Sequence, residues 1–356
     1  MSRITKWTLP LDYGRGGQSC KAHPMTEHPV PIVVVGAGLS GLIAARTLGE
    51  SGHSSVVFDK ARSVGGRMAT RRRLGHEGTL ALLDHGAQFF TARSPEFRAE
   101  VDGWLSLGIA REWCRGFGAN QDGYPRYCAP GGMNAIAKHL ATSVRATVNT
   151  TVRSVRTDGD RLIVTTDDAV DHACSAVLLT PPVPQSLALC DNGSLVLPRD
   201  ERNALETVRY ARCIALLVTV NQSGLIGAPG GLQLTTEADP TFSFIADNQS
   251  KGLSAVPALT FHANDVISET HYDDSDEEVI TLLLSAAQPY LDGSDLLNVE
   301  VKRWRFARPT VTHPERYLAL RPTPNTSLVF AGDAFGEARV EGAYLSGLAA
   351  AQRLMS

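Results

Sequence analysis

The sequence has no pair of cysteines at C-x-x-C spacing; Cys20, Cys114, Cys128, Cys174, Cys190 and Cys213 are scattered along it. This excludes a zinc ribbon and a dithiol redox pair, and isolated, mostly buried thiols in a reducing cytosol are expected. Basic charge is not in excess: 34 Lys and Arg face 37 Asp and Glu, for a net charge of −3. Nucleic-acid binding, which needs a basic surface to displace counterions, is therefore not expected. No apolar run reaches the roughly 18–20 residues that span a bilayer. Residues 1–29 carry scattered basic residues and prolines but not the ~7–15-residue apolar core of a secretory signal. They are read as a disordered extension ahead of a second start at Met25, and the protein as cytoplasmic. Repeats and low-complexity linkers are also lacking. What is present is 356 residues of ordinary composition, 43% hydrophobic, enough for two intimately connected domains.

The first strong element is the β-branched run Pro31–Val35, suited to a strand buried on both faces. Gly36, Gly38 and Gly41 follow, then an Ala- and Leu-rich helix from Leu42 to Glu50 and a strand from Ser55 to Phe58 that ends on Asp59. Downstream, Thr150–Thr166 reads as a hairpin turning at Asp158-Gly159. Ala176–Leu179 is a further buried strand. Residues 184–308 read as mainly strand, including Cys213–Val220, Thr241–Ala246 and Ala258–His262. One helix interrupts them, announced by a Ser275–Glu278 capping box. A late strand at Leu328–Phe330 and a late helix from Gly342 to Leu354 close the chain. The expected fold is α/β. A Rossmann-like domain is assembled from both ends (30–90, 130–183 and 325–356), with a mainly antiparallel β substrate domain (91–129 and 184–324) inserted.

Gly36-Ala37-Gly38-Leu39-Ser40-Gly41 has G-x-G-x-x-G spacing between a strand and a helix. The first glycine allows a tight turn, the second lets a pyrophosphate approach the backbone, and the third lets helix pack on strand. Asp59 stands where an acid accepts hydrogen bonds from ribose hydroxyls. This motif does not separate NAD from FAD. The following Val64-Gly65-Gly66-Arg67 turn is similar to the extension that completes the FAD site in FAD-dependent amine oxidases, with Arg67 as a charge-assisted phosphate contact. Near the C-terminus, Gly332-Asp333 ends a strand and Val340-Glu341-Gly342-Ala343 opens a helix. Asp333 is placed to bind the ribityl chain, and the helix N-terminus to face the flavin's pyrimidine edge. Arg71-Arg72-Arg73 is open between solvated loop charge and attraction of an anionic substrate.

Beyond these motifs, Leu83-Asp-His-Gly86-Ala87-Gln88-Phe89-Phe-Thr-Ala-Arg93, Gly131-Gly-Met133, Trp304-Arg-Phe-Ala307-Arg-Pro309 and Arg339-Val-Glu-Gly-Ala343-Tyr-Leu-Ser-Gly347 resemble renalase-like FAD oxidases. The resemblance runs from Ile32 to the C-terminus and thins through Asp191–Ser254. It implies a p-hydroxybenzoate-hydroxylase-like two-domain fold and noncovalent FAD, with Lys60, Gly86, Ala87, Gln88, Phe89 and Val152 joining the cofactor site. It also implies an oxidase that takes hydride from misreduced or α-anomeric dihydronicotinamides, restores β-NAD(P)⁺, and passes electrons to O2 to make hydrogen peroxide.

Such a reaction needs no general base, since the ring nitrogen's lone pair drives hydride out; position and electrostatics suffice. Gln88, Asn248, His262, Trp304 and Arg339 are the catalytic candidates, with Phe89 beside them. For His262 and Trp304, core packing is an equal alternative. His85 could carry a covalent flavin, but nothing around it argues for activation, and no cysteine follows Cys213 for a C-terminal attachment. Three other readings stand beside this one: an amine oxidase, a flavin monooxygenase, and a protein that keeps FAD as a structural ligand. Monoamine-oxidase-type enzymes place a cage tyrosine where this chain has Arg339, a guanidinium that repels an ammonium substrate.

Overall fold

The computed structural model describes residues 31–117 and 122–356; the extension expected at 1–29 lies outside the described residues. Ile32–Val35 is buried at every position and forms the middle of a six-stranded sheet. The strand order is Leu318–Leu320, Ser327–Phe330, Ala176–Leu179, Ile32–Val35, Ser55–Phe58, Ala146–Thr147. All pairings are parallel except that of the Leu318–Leu320 edge. A parallel sheet must be covered on both faces, and this one is. On one face lie the helices Leu39–Glu50 and Val340–Met355, held so close that a Cβ on Gly347 would collide with the Ser40 carbonyl. On the other lies a three-stranded antiparallel sheet, Val152–Asp158, Arg161–Thr166 and Asp171–Cys174. Its first hairpin turns where expected, with Gly159 at φ 56°.

The second body is a five-stranded antiparallel sheet in the order Gly231–Gln233, Phe242–Asp247, Ala258–Ala263, Arg209–Val220, Leu296–Val311. Its core is closed by the helix Asp276–Leu291. The capping box at that helix is present in full: Ser275 Oγ accepts from the Glu278 N–H, and the Glu278 carboxylate accepts from the Ser275 N–H. The two bodies meet along the hairpin Thr70–Leu74/Leu80–Asp84, whose Ala81 and Leu83 pack against Ala215, Leu217 and Ala258.

Residues 184–308 hold more helix than expected: Val183–Asn192, Arg199–Glu206 and Asp265–Thr270 are helical as well. Pro184 in the first turn and Asn264, whose side chain accepts from the Ile267 N–H at 2.9 Å, are the local start signals. Leu318–Leu320, expected in the substrate domain, instead pairs with Ser327–Phe330 and extends the dinucleotide sheet, burying both leucines. The first helix begins at Leu39 rather than Leu42 because Gly38 already serves as its N-cap. Among the described residues no helix is long and apolar enough to cross a membrane. The described cysteines are unpaired, and burial pushes the Cys174, Cys190 and Cys213 thiols up to about 12.

Candidate functional site

A cleft of about 1430 Å³ runs from the first glycine turn to the face of the five-stranded sheet. The three motif glycines have separable reasons to be glycine. Gly36 sits at φ 101°, in the left-handed region. A Cβ on Gly41 would strike the Gly36 carbonyl. Gly38 has neither constraint: its φ is −75° and an added Cβ would meet nothing within 4 Å. It faces the open cleft. The helix that starts there has no side-chain cap and no acid in its first turn, so its N–H groups and positive dipole end are free for an anion. Ser40 Oγ, at the same cleft wall, is buried without a partner among the described residues.

Asp59 binds the glycine turn itself, accepting from the Ala37 N–H at 2.6 Å and the Ala61 N–H at 2.7 Å. The second turn docks on the first through Gly65 N–H to the Ala37 carbonyl, 2.8 Å, and Gly66 lies against Gly38. Lys60 and Val152 also line the cleft, while Ala37 and Gly41 stand behind it. Gly86 is a packing glycine, since a Cβ there would collide with the Arg67 carbonyl.

Arg67 and Asp333, expected to act separately on phosphate and ribityl, form one ion pair at 2.7 Å, and Arg67 also donates to the Phe306 carbonyl at 3.3 Å. Both still line the cleft. Glu341 does not line it. It is 2% exposed and its carboxylate accepts from the backbone N–H of Arg93 at 3.1 Å and of Ser94 at 2.6 Å. Gly342 likewise faces away, packed on the Glu337 carbonyl, which leaves Val340 and Ala343 toward the cleft. Position in a helix's first turn does not reveal which of its residues points at a ligand.

At the opposite wall, Trp304 stacks on His85 with ring centroids 5.2 Å apart and donates from Nε1 to the His85 carbonyl at 2.7 Å. His262 lines the same wall, 3.5 Å from Gln88 Nε2. Phe89 and Arg339 line the cleft too, with Arg339 3.2 Å from Glu337. Gln88 and Asn248 do not. Gln88 is 5% exposed and donates to the Asp84 carbonyl at 2.7 Å; Asn248 is fully buried and donates to Thr260 Oγ1 at 3.0 Å. Burial lowers both His85 and His262 to about 4; Lys302 adds to the effect at His85 and Lys251 at His262. Both imidazoles are neutral at pH 7.

A histidine depressed in the fold stabilises it fully above its unfolded value, and that stability is lost as pH falls from about 6.5 toward 4. Thermal melts are expected to drop over this window, and His262→Asn to flatten part of the drop. An identical acid profile in the variant would remove His262 from the account.

The sequence reading missed the pair that holds this wall. Lys251 and Asp84 are both 0% exposed and meet at 2.9 Å. Lys251 Nζ also donates to the Gln88 carbonyl at 2.6 Å and lies 4.8 Å from the Trp113 ring centroid. Asp84 accepts further from Thr70 Oγ1 at 2.6 Å and the Met133 N–H at 2.9 Å, and its carbonyl from Thr260 Oγ1 at 2.9 Å. The only signal available was that Asp84 falls in the segment Leu83–Arg93 and Lys251 lies three residues after the candidate Asn248.

Residues 103–355 match the family described as flavin containing amine oxidoreductase, and residues 34–103 match an NAD(P)-binding Rossmann-like domain. The chain belongs to the flavin-containing amine oxidoreductases. It is 24% identical to mouse renalase over 337 residues, covering 89% of this chain and 96% of that protein. Among solved structures, a redesigned putrescine oxidase triple mutant superposes with a TM-score of 0.67 at 16% identity, covering 92% of this chain and 99% of the other. An oxidoreductase from Methanosarcina mazei superposes with 0.61 at 15%, covering 90% and 100%.

This flavin amine oxidoreductase is thus a renalase-like, FAD-dependent oxidase, and the cleft fits that cofactor. An uncapped helix N-terminus, the open approach over Gly38 and the unpaired Ser40 hydroxyl suit a pyrophosphate. The N-terminus of Val340–Met355, also without a side-chain cap, suits an electron-rich ring edge.

Proposed function

We propose that the enzyme takes hydride from misreduced or α-anomeric dihydronicotinamide nucleotides and passes the two electrons to O2 to form hydrogen peroxide, releasing β-NAD(P)⁺ directly from the 2- and 6-dihydro β-isomers; from the α-anomer, β-NAD(P)⁺ additionally requires epimerisation at C1′. The observation that carries this reading is the charge of the cleft. Ten of its lining residues are Lys or Arg and three are Asp, although the chain as a whole is net −3. None of the three aspartates is free for an ammonium: Asp59 holds two backbone N–H groups, Asp333 holds Arg67, and Asp265 holds Arg308 at 2.7 Å. Five further lining arginines are paired with carboxylates outside the lining, which leaves Lys60, Arg93 and Arg305 as the cations without an ion pair among the described residues. Such a lining attracts a phosphorylated substrate and repels a protonated amine.

Gly38, Gly66, Asp333 and Val340 would hold FAD noncovalently, and the cofactor would supply the electron acceptor. The protein's share is placement. Trp304 and His262 offer a flat wall for the dihydropyridine, and the His85 carbonyl fixes the Trp304 indole. The neutral imidazoles hold no proton that the reaction needs, in keeping with hydride loss driven by the ring nitrogen.

The test is anaerobic mixing of the yellow enzyme, whose colour should leave the protein on acid precipitation. Rapid bleaching is expected from 2-dihydro, 6-dihydro or α-anomeric NAD(P)H, and slow or no bleaching from pure β-NADH. Bleaching by benzylamine or putrescine, and by none of these isomers, would replace the proposal with amine oxidation.

A further inference from the structure

The Arg71-Arg72-Arg73 run is not a loop but part of the strand Thr70–Leu74. Arg71 and Arg73 converge on one carboxylate, Glu300: Arg71 Nη2 lies 2.7 Å from it, and Arg73 is paired with it as well. Lys302 is the third partner. Three cations on a single carboxylate leave an excess of two positive charges. Burial pushes the Glu300 carboxyl up, but hydrogen bonds from Lys302 and Arg71 outweigh it and hold the group below its ordinary value. The carboxylate is 15% exposed while the cations are 30–37% exposed. Glu300 therefore works as an internal template, and the cations keep donors turned to solvent.

The cluster has a fixed relation to the candidate site. The Leu296–Val311 strand pairs in regular register with Cys213–Leu217 from Trp304 to Glu300, so Glu300, Lys302 and Trp304 share one face. They are spaced by roughly 7 Å per pair of residues. Trp304 is the residue stacked on His85, and Arg71 lines the cleft with both, while Arg73 and Lys302 stand outside the lining, partly exposed, where they pair with the Glu300 carboxylate. Besides burial, Lys302 and Arg71 oppose protonation of His85, so their charge reaches the wall where the ring would lie. A FAD pyrophosphate would be held at Gly38 and the N-terminus of Leu39–Glu50 rather than at Glu300, and would not neutralise this excess.

We infer that Arg71, Arg73 and Lys302 form the phosphate anchor of the substrate, gripping the 5′-phosphate of a dihydronicotinamide nucleotide whose ring lies against Trp304 and His262. This rests on the proposed function and adds to it a specificity device: selection of phosphorylated over unphosphorylated dihydronicotinamides, about one ribose beyond the reacting ring. Removing one of the three cations leaves Glu300 with two partners, so single substitutions keep the strand crossing intact.

The experiment compares the concentration giving half-maximal anaerobic bleaching for the misreduced mononucleotide and the corresponding riboside, which lacks the phosphate. In the wild-type holoenzyme the mononucleotide is expected to need roughly tenfold less or lower still, the worth of a charge-assisted contact. In Arg71→Gln and Lys302→Gln that ratio should collapse toward one, with partial recovery in Arg71→Lys. Inorganic pyrophosphate should compete with the mononucleotide in the wild type and lose that effect in the Gln variants. An unchanged ratio in both variants, with the isomers still bleaching the flavin, would overturn the anchor and leave the proposed function standing. Failure of every dihydronicotinamide to bleach the wild type would bring down the function and the anchor with it.

Discussion

Gly38→Val is expected to yield a folded, colourless protein. The substitution introduces no strain, because Gly38 has φ −75° and open space around its would-be Cβ. Unfolding of the variant should match that of the wild-type apoprotein within about 1 kcal/mol. Flavin affinity should fall by roughly a hundredfold or more, about 3 kcal/mol, because the side chain fills the space over the helix N-terminus where a pyrophosphate must come against the backbone. Gly41→Ala is the contrasting case. Its Cβ collides with the Gly36 carbonyl, so it should damage the fold with or without flavin. Absorbance after reconstitution, set beside the apoprotein melt, separates the two. A Gly38→Val protein that stays yellow would show that the cofactor does not approach there.

Lys251→Met should cost about 3–5 kcal/mol of stability, the usual penalty for stranding a buried charge, and lower the midpoint by roughly 6–15 °C. Asp84 would keep its bonds from Thr70 and Met133 but lose its counter-charge. The double variant Asp84→Asn, Lys251→Met keeps an acceptor for Thr70 and Met133 and strands no charge, while the Gln88 carbonyl still loses its donor, so it should recover part of the loss. A double-mutant cycle that shows simple additivity would mean the pair is not coupled. Because Lys251 also holds the Gln88 carbonyl, flavin reduction in the single variant should slow along with the melt.

The dinucleotide half of the fold was legible because its signals are local. A buried β-branched run, a glycine turn with fixed spacing and an acid after the second strand each depend on a few neighbouring residues. The Ser275–Glu278 capping box was legible for the same reason. The candidate site was legible in composition but not in partnership. Arg67 and Asp333 are 266 positions apart, and nothing in either segment says they meet. In Asp247-Asn248-Gln249-Ser250-Lys251 the sequence draws attention to the asparagine, yet Asn248 is sealed behind Thr260 while Lys251 reaches through the core to Asp84. Burial of a lysine depends on a partner supplied by another strand, which periodicity cannot supply. The helix at 183–192 was overlooked because its short, proline-started segment carries little 3.6-residue pattern of its own, and the one at 199–206 because its eight residues are mostly charged and bury only Leu205.

The bond between Arg67 and Asp333 also sets an order of events during synthesis. The strand that contributes Asp333 joins the sheet beside Ala176–Leu179, and the first helix gains its partner when Val340–Met355 arrives. Until residues 327–355 have been made, a nascent chain holds the glycine turn without the far wall of the flavin cradle. Cofactor capture therefore waits for those late segments, and pairings between distant segments make the final closure slow. Cellular flavin supply should then govern how much of the finished polypeptide escapes degradation, rather than how fast the polypeptide is made.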